Sequence, residues 1–178
     1  MTSRTGAPRR FISMASMTTT PTRWTIHESP LGPLTLCGGP HGLTALEFPG
    51  RGAPRDETCR APDLFAAAVA QLEEYFAGAR RQFDLELDLG GTPFQRGVWR
   101  RLLEIPCGET VSYGALARAL GRPDGVRAVA AAVGRTPVPI IVPCHRVVAS
   151  DGALTGYRGG LQRKQALLDL ERGVARCR

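Results

Sequence analysis

The sequence lacks any long run of apolar residues. Its longest uncharged apolar stretches, residues 66–70 and 138–142, are far shorter than the roughly 20 residues that a membrane-spanning helix needs. It also lacks a Cys-x-x-Cys pair, and its five cysteines are odd in number and widely spaced. This pattern argues against both a disulfide framework and a thiolate zinc site. We therefore expect a soluble, cytoplasmic protein without a bound metal.

Lysine is nearly absent, since Lys164 is the only lysine among 23 basic residues. The preference for arginine indicates the codon bias of a GC-rich genome, but it does not explain where the charge lies. Residues 1–91 carry nine basic and ten acidic side chains, a net charge of −1. Residues 92–178 carry 14 basic and six acidic side chains, a net charge of +8. A cationic surface on one half of the chain attracts polyanions, and nucleic acid is the commonest polyanion in a cytoplasm.

The N-terminal segment has the composition of a disordered extension. Residues 1–23 are rich in Thr, Ser, Arg and Pro. The pair Arg9-Arg10 could suggest a twin-arginine export signal, but the apolar stretch after it is short and interrupted by Ser13 and Ser16. We therefore do not expect export.

Residues 24–91 predict a small α/β domain with an antiparallel sheet and one helix. Strand-forming residues flank a Pro-Leu-Gly-Pro turn, which predicts a hairpin. From Pro62 the apolar residues recur at helical spacing over about fifteen residues, and Gly78 follows as a stop. The predicted strands are residues 24–29, 34–37, 43–48 and 83–89. This half of the sequence offers no catalytic cluster.

Residues 92–178 predict a mainly helical domain that contains a helix-turn-helix. Thr92 to Gln95 combine a capping threonine, a proline at the first helical position and a glutamine two residues after it, which is typical of a helix N-terminus. Two short helices, residues 112–120 and 126–133, flank a turn that contains glycine and proline. Such helix pairs also occur in ordinary protein cores. The second helix has small side chains instead of Gln, Asn or Ser, so it favours close approach to a minor groove.

The most informative motif is Pro143-Cys144-His145-Arg146-Val147, which follows the apolar residues 138–142, a predicted strand. A cysteine is a strong nucleophile only as the thiolate, and its ordinary pKa of roughly 8.5 keeps it protonated at neutral pH unless a base helps. His145 is the candidate base. Pro139 and Pro143 would end the strand, so we expect the Cys-His pair to face a cleft. The alternative is an inert cysteine that packs as a small hydrophobic residue.

With this motif downstream of a helix-turn-helix, the chain resembles the O6-alkylguanine-DNA alkyltransferases, also called methylated-DNA–protein-cysteine methyltransferases. The resemblance runs from about residue 24 to residue 171 and is closest from Thr92 onward. The motifs that carry it are Ile105-Pro106-Cys107-Gly108, Ser112-Tyr113, Arg127-Ala128-Val129, residues 137–148 around Cys144, and residues 156–161. The resemblance implies a ribonuclease-H-like N-terminal domain and a winged-helix-like C-terminal domain.

The resemblance also implies a function, which is direct-reversal DNA repair. The alkyl group of O6-alkylguanine, and of O4-alkylthymine, in double-stranded DNA would move to Cys144 after the base is flipped out from the minor groove. No cofactor is implied. The product is an S-alkyl thioether that water cannot hydrolyse, so each molecule would act once. The protein would be a monomer, and cooperative binding to DNA is left open.

The catalytic roles that the resemblance implies fall on four residues. Glu171 would hold His145, and His145 would draw the proton from Cys144 through a water. Tyr113 would press on the target phosphate and offer its hydroxyl to the base. Without the resemblance, Glu171 would pass as a solvated carboxylate on a helix.

The remaining implied residues contact the DNA or form the base pocket. Arg127 would fill the stack that the flipped base leaves, beside Ser112, Tyr113, Ala128, Ala131 and Arg135. The base pocket would be formed by Thr136, Val147, Tyr157, Arg158 and Gly159. The guanine would donate to the backbone carbonyls of Cys144 and Val147 and accept from the backbone amide of Arg158. Thr136 stands where the family usually has asparagine, which puts reactivity and substrate range in question.

The N-terminal zinc site of vertebrate members is not matched, because Gly39 and Thr44 stand where its ligands would fall. Cys37, His27 and His41 lack a fourth ligand at a sensible spacing.

Three rival functions remain. A hydrolase using Cys144 and His145 is disfavoured because such enzymes usually draw the two residues from distant positions. A lesion sensor is disfavoured by Cys144 itself. A transcription regulator is disfavoured by the alanine-rich second helix.

Overall fold

The computed structural model describes residues 22–50 and 56–176. The predicted disordered extension, residues 1–23, therefore lies outside the described residues except for its last two. Arg23 is already the first residue of a strand. None of the described helices is both long and apolar enough to span a lipid bilayer.

The N-terminal part is built on a three-stranded antiparallel sheet with the order β1-β2-β3. The strands are β1 (Arg23–His27), β2 (Leu34–Gly39) and β3 (Gly42–Glu47). A β-bulge lies at Cys37/Gly38. Gly38 allows the close approach there, because a Cβ on it would lie 2.5 Å from the carbonyl oxygen of Gly42. The three strands agree with the predicted hairpin and third strand.

Helix α1 (Ala66–Phe76) buries Ala68, Leu72 and Tyr75. A 3-10 turn, Pro62–Phe65, leads into it, so the two together cover the residues predicted as one helix. Gly78 follows the helix with φ 77°, a conformation that glycine adopts without strain.

The predicted strand over residues 83–89 is wrong. Only Leu87 forms a bridge, to Leu43 at the start of β3. Beyond Leu43, the edge of β3 is not available for pairing with this segment, because the backbone N–H of Leu46 donates to the carbonyl of Pro137 at 2.9 Å. Phe83, Leu87 and Leu89 are buried as the pattern suggests, but the backbone pairs with β3 only at Leu43.

The C-terminal part begins with helix α2 (Pro93–Leu102), whose N-terminus is the predicted capping box. The Thr92 hydroxyl accepts from the N–H of Gln95 at 3.2 Å, and the Gln95 side chain accepts from the N–H of Thr92 at 2.9 Å. Helix α2 packs on helix α4 (Val126–Gly134), and the Trp99 indole N–H donates to the Ala132 carbonyl at 2.9 Å.

Helices α3 (Tyr113–Ala119) and α4 form the predicted helix-turn-helix. Gly121 with φ 69° and a 3-10 turn at Pro123–Gly125 make the connection. The last helix, α5, spans Leu161–Arg176.

The predicted strand over residues 138–142 is also wrong, because these residues form a buried turn. The N–H of Val142 donates to the carbonyl of Val138 at 2.9 Å, and Ile140 is fully buried with φ 73°. Pro139 within this segment and Pro143 directly after it lack the N–H groups that a ladder would need.

Two short strands were missed in the sequence, because two residues carry no periodic signal. They are β4 (Val111–Ser112) and β5 (Val147–Val148), and they pair in parallel. The apolar core is continuous, with buried residues from both the N-terminal and the C-terminal part.

Candidate active site and DNA-binding surface

Cys144 begins a 3-10 turn, Cys144–Arg146, that follows Pro143 directly. Cys144 is 5% exposed and lines a narrow cavity of about 10 Å³ together with Thr136 and Tyr157. A larger cleft of about 550 Å³ adjoins this cavity between helix α4 and the loop that contains Arg158. Cys144 therefore lies beneath the expected cleft rather than on its surface.

His145 is fully buried and hydrogen-bonded to Glu171 of helix α5. Its Nε2 lies 2.8 Å from Oε1 of Glu171. The guanidinium of Arg146 holds the same carboxylate through both oxygens, with Nη2 2.8 Å from Oε1 and Nε 2.9 Å from Oε2. The N–H of Gly108 donates to Oε2 at 3.1 Å.

Glu171 is ionised in this network. Burial raises the pKa of its carboxyl, but hydrogen bonds from His145 and Arg146 outweigh the burial and hold the pKa well below its ordinary range. Because an ionised carboxylate only accepts hydrogen bonds, Nε2 of His145 must carry the proton.

The other ring nitrogen of His145 is then left with a lone pair. Nδ1 is buried and has no hydrogen-bond partner among the described residues. Burial lowers the pKa of His145, while the hydrogen bond to Glu171 acts in the opposite direction. The imidazole is neutral at pH 7 and presents a basic nitrogen.

The Cys144 thiol is protonated at rest. Burial raises its pKa to about 11. The Thr136 side chain and the positive charges of Lys164 and Arg158 partly oppose this effect. The site therefore needs a base to produce a thiolate, and it already contains groups that stabilise one.

The exposed face of helix α4 combines small residues with cations. Arg127, Ala128, Ala131 and Arg135 are exposed, whereas Val129 is buried in the core. The two arginines lie at opposite ends of the helix. This surface combines small side chains with positive charge, which suits contact with a nucleic-acid groove.

Two models of known families match the chain, one for each part. Residues 22–89 match the ribonuclease-like domain of 6-O-methylguanine DNA methyltransferase. Residues 93–173 match the DNA-binding domain of the same family. The chain belongs to the 6-O-methylguanine DNA methyltransferase family. The predicted fold class, a ribonuclease-like α/β domain followed by a helical DNA-binding domain, is confirmed.

Relatives of this methyltransferase chain cover most of its length. A methylated-DNA–protein-cysteine methyltransferase of Mycobacterium tuberculosis is 51% identical over 150 residues, which are 83% of this chain and 91% of the relative. Another, from Methanosarcina acetivorans, is 45% identical over 152 residues, which are 83% of this chain and 97% of the relative. A crystal structure of the M. tuberculosis OGT in complex with DNA has a TM-score of 0.80 and 50% identity, covering 86% of this chain and 93% of the other.

Within this methyltransferase fold, six of the fourteen expected site residues line the two neighbouring cavities, whereas His145, Val147, Gly159 and Glu171 lie outside both linings. The narrow cavity is lined by Thr136, Cys144, Tyr157 and Arg158, and the cleft by Tyr113, Arg127, Tyr157 and Arg158. Ser112, Ala128, Ala131 and Arg135 line neither cavity. The Ser112 hydroxyl caps helix α3 by accepting from the N–H of Ala115 at 3.1 Å.

Lys164 is a site residue that sequence reasoning missed. It is fully buried, and its Nζ donates to the carbonyls of Val147 at 2.6 Å and Thr155 at 2.8 Å. Burial of an ammonium group costs free energy, so such groups often occur at functional sites. The available signal was its uniqueness, since a chain that otherwise uses arginine keeps one lysine here.

Gly159 lets an aromatic side chain of the N-terminal domain reach the pocket wall. Phe48 packs on Tyr157 with ring centroids 5.9 Å apart. A Cβ on Gly159 would lie 2.7 Å from a ring carbon of each aromatic residue. The pocket wall is thus braced across the two domains.

We expect Gly159→Ala to lower stability by about 1–3 kcal/mol, because the added methyl forces Phe48 and Tyr157 apart. The melting temperature should fall by about 5 °C in thermal unfolding followed by circular dichroism. Gly97→Ala is the control, because a Cβ there meets nothing within 4 Å and alanine favours a helix. An unchanged melting temperature for Gly159→Ala would contradict the tight packing.

Proposed function

We propose that this protein repairs alkylated DNA by direct reversal. It transfers the alkyl group of O6-alkylguanine in double-stranded DNA to the thiol of Cys144, and O4-alkylthymine is a second substrate. The observation that carries the proposal is the buried Cys144 thiol at the foot of a cleft, beside the His145–Glu171 pair. The family membership and the DNA complex of the similar M. tuberculosis protein support it.

The reaction begins with removal of the thiol proton. His145, neutral and held by Glu171 through Nε2, takes the proton of Cys144 at Nδ1 through a water. The positive charges of Lys164 and Arg158 stabilise the thiolate as it forms. A protonated His145 is stabilised in turn by the charge of Glu171.

The thiolate then attacks the alkyl carbon. A carbon–sulfur bond forms while the bond from that carbon to O6 of guanine breaks, and the electron pair stays on the base. The Tyr113 hydroxyl hydrogen-bonds the leaving oxygen, and the proton that the thiol released ends on the guanine. The thioether on Cys144 has no route back to a thiol, so each molecule reacts once.

Base flipping follows from the burial of Cys144. A thiol that is 5% exposed cannot reach a base stacked inside a duplex, so the damaged nucleotide must enter the cleft. Arg127, exposed at the start of helix α4 and lining the same cleft, fills the vacated stack from the minor groove. Unstacking costs a few kcal/mol, and damaged bases cost least.

The proposal extends to organisation and location. The N-terminal domain spans residues 24–91 and the DNA-binding and active-site domain residues 92–178, with the boundary at Gly90-Gly91. The protein acts as a monomer in the cytoplasm. Cys59, Cys107 and Cys144 are free thiols, which suits a reducing compartment.

A single experiment tests the function. The protein is incubated with a duplex that contains O6-methylguanine and is then digested. The masses of its peptides are measured by mass spectrometry. We expect one methyl on the peptide that contains Cys144 and at most one repaired base per protein molecule. An unmodified Cys144, or more than one repair per molecule, would contradict the proposal. Repeated turnover of an ester would instead favour a hydrolase, and lesion binding without transfer a sensor.

Arg127→Ala is expected to slow methyl transfer by about tenfold, because the flipped state loses the side chain that fills the stack. Single-turnover rates measure the transfer, and a fluorescent base analogue at the target position reports flipping. Arg172→Ala is the control, since this arginine has a similar charge on an exposed face of helix α5. Equal flipping in the Arg127 and Arg172 variants would contradict the assigned role.

A further inference from the structure

The Glu171 carboxylate receives one hydrogen bond from the N-terminal domain. The hydroxyl of Tyr75, on helix α1, lies 2.8 Å from Oε1 of Glu171. Tyr75 and Glu171 are each 1% exposed. The same oxygen accepts from His145 and from Arg146.

We propose that Tyr75 is a positioning residue for alkyl transfer, which acts by fixing the carboxylate that holds His145. This inference rests on the function proposed above. It assigns to the N-terminal domain, whose sequence shows no catalytic cluster, a direct hydrogen bond to the reaction machinery. Tyr75 itself lines neither the narrow cavity nor the cleft.

The ring of Tyr75 is needed for packing, but the hydroxyl is not. Its centroid lies 5.4 Å from that of Phe76 and 5.3 Å from that of Phe83, and phenylalanine would make the same contacts. A buried hydroxyl requires a partner, and this one has a carboxylate oxygen. Burial, and then the charge of Glu171, raise the pKa of Tyr75 far above its ordinary value. The hydroxyl is therefore a donor at every working pH.

The hydroxyl has two effects on the Glu171–His145 pair. It holds Oε1 in the position from which His145 is oriented. It also attracts part of the negative charge on Oε1, so the hydrogen bond from His145 is weaker and its imidazole less basic than it would otherwise be. The other polar groups that face this carboxylate are Arg146 and the N–H of Gly108, with the Cys107 thiol nearby.

Tyr75→Phe removes the hydroxyl and keeps the ring. We expect the single-turnover rate of methyl transfer at neutral pH to fall about fivefold, because a donor to an ionised group is lost while two others remain on the same oxygen. The acidic limb of the pH–rate profile should move to higher pH, because His145 becomes more basic. The affinity for undamaged DNA should not change.

Phe83→Leu is the control, because it disturbs the same aromatic packing without touching a hydrogen bond of Glu171. A purely structural role for Tyr75 predicts that both variants lose stability and that neither shifts the pH profile. We expect the acidic limb of the pH–rate profile to shift in Tyr75→Phe and not in Phe83→Leu, even if both variants lower the melting temperature equally. A wild-type rate and pH profile in Tyr75→Phe, or an equal shift in Phe83→Leu, would overturn the inference.

The two levels of proposal fail differently in this experiment. If the wild-type protein leaves Cys144 unmethylated, the proposed function is wrong and this inference falls with it. If the wild type transfers the methyl group and Tyr75→Phe behaves identically, only the role of Tyr75 is wrong.

Discussion

Replacing Cys144 by serine is expected to reduce methyl transfer by more than about a thousandfold, the scale of loss seen when a nucleophile is removed. A hydroxyl is much harder to deprotonate than a thiol, so His145, whose pKa is lowered by burial, produces far less of the nucleophile. Serine is slightly smaller than cysteine and fits the buried position, so the fold and the cleft should remain. Binding to DNA should persist without repair.

The measurement is peptide mass after incubation with a methylated duplex, together with DNA affinity from fluorescence anisotropy. Cys59→Ser is the matched control, because Cys59 is a second, partly buried free thiol and lines neither the narrow cavity nor the cleft. We expect it to repair like the wild type. Methylation of another residue in Cys144→Ser, or undiminished repair, would show that the acceptor is wrongly assigned.

Glu171→Gln is expected to damage both stability and reactivity. The substitution leaves the buried guanidinium of Arg146 without a counter-charge, which costs about 3–5 kcal/mol, and the melting temperature should fall by about 10 °C. Loss of the charge that supports His145 should slow transfer by about a hundredfold. Denaturant unfolding and single-turnover kinetics measure the two effects separately.

The stability effect also has a pH signature. Because the pKa of Glu171 in the folded state lies below its ordinary value of 4.5, the ionised group contributes stability above that pH. This contribution is lost as the pH falls toward the lower folded pKa. Glutamine does not titrate, so the variant should lose less stability than the wild type between about pH 5 and pH 3.

Asp169→Asn on the same helix is the control. Its carboxylate is 56% exposed and pairs with Arg172 at 3.5 Å, a surface interaction worth little. We expect wild-type stability and repair. Full activity in Glu171→Gln would mean that the carboxylate only supports the fold, and full stability would mean that Arg146 does not depend on it.

Features encoded by neighbouring residues were predictable from the sequence. The capping box at Thr92 depends on residues within one turn, and the structure has both of its hydrogen bonds. The helix-turn-helix follows from periodicity and a glycine turn. The Cys144–His145 pair was recognisable because cysteine and histidine are infrequent in this sequence and are adjacent here.

Features that depend on distant partners were not predictable. Apolar and polar side chains alternate over residues 83–89 as they do in a strand. The edge of β3 that this segment would join is instead hydrogen-bonded to the carbonyl of Pro137. Glu171 lies 25 residues from Arg146 and 96 from Tyr75, so no local pattern marks it. Only the resemblance to the alkyltransferases pointed to Glu171, and nothing pointed to the hydroxyl of Tyr75.

The resting state of Cys144 determines how long an unused molecule keeps its capacity. With a pKa of about 11, about one thiol in ten thousand is ionised at pH 7. An ordinary exposed cysteine, with its pKa of roughly 8.5, would be ionised a few hundred times more often. Electrophiles in solution therefore meet a buried, mostly protonated thiol. In the proposed reaction, only a base that enters the cleft meets this thiol beside His145. Under the proposed single-turnover reaction, a mostly protonated thiol would slow side reactions that consume the protein before it meets a lesion.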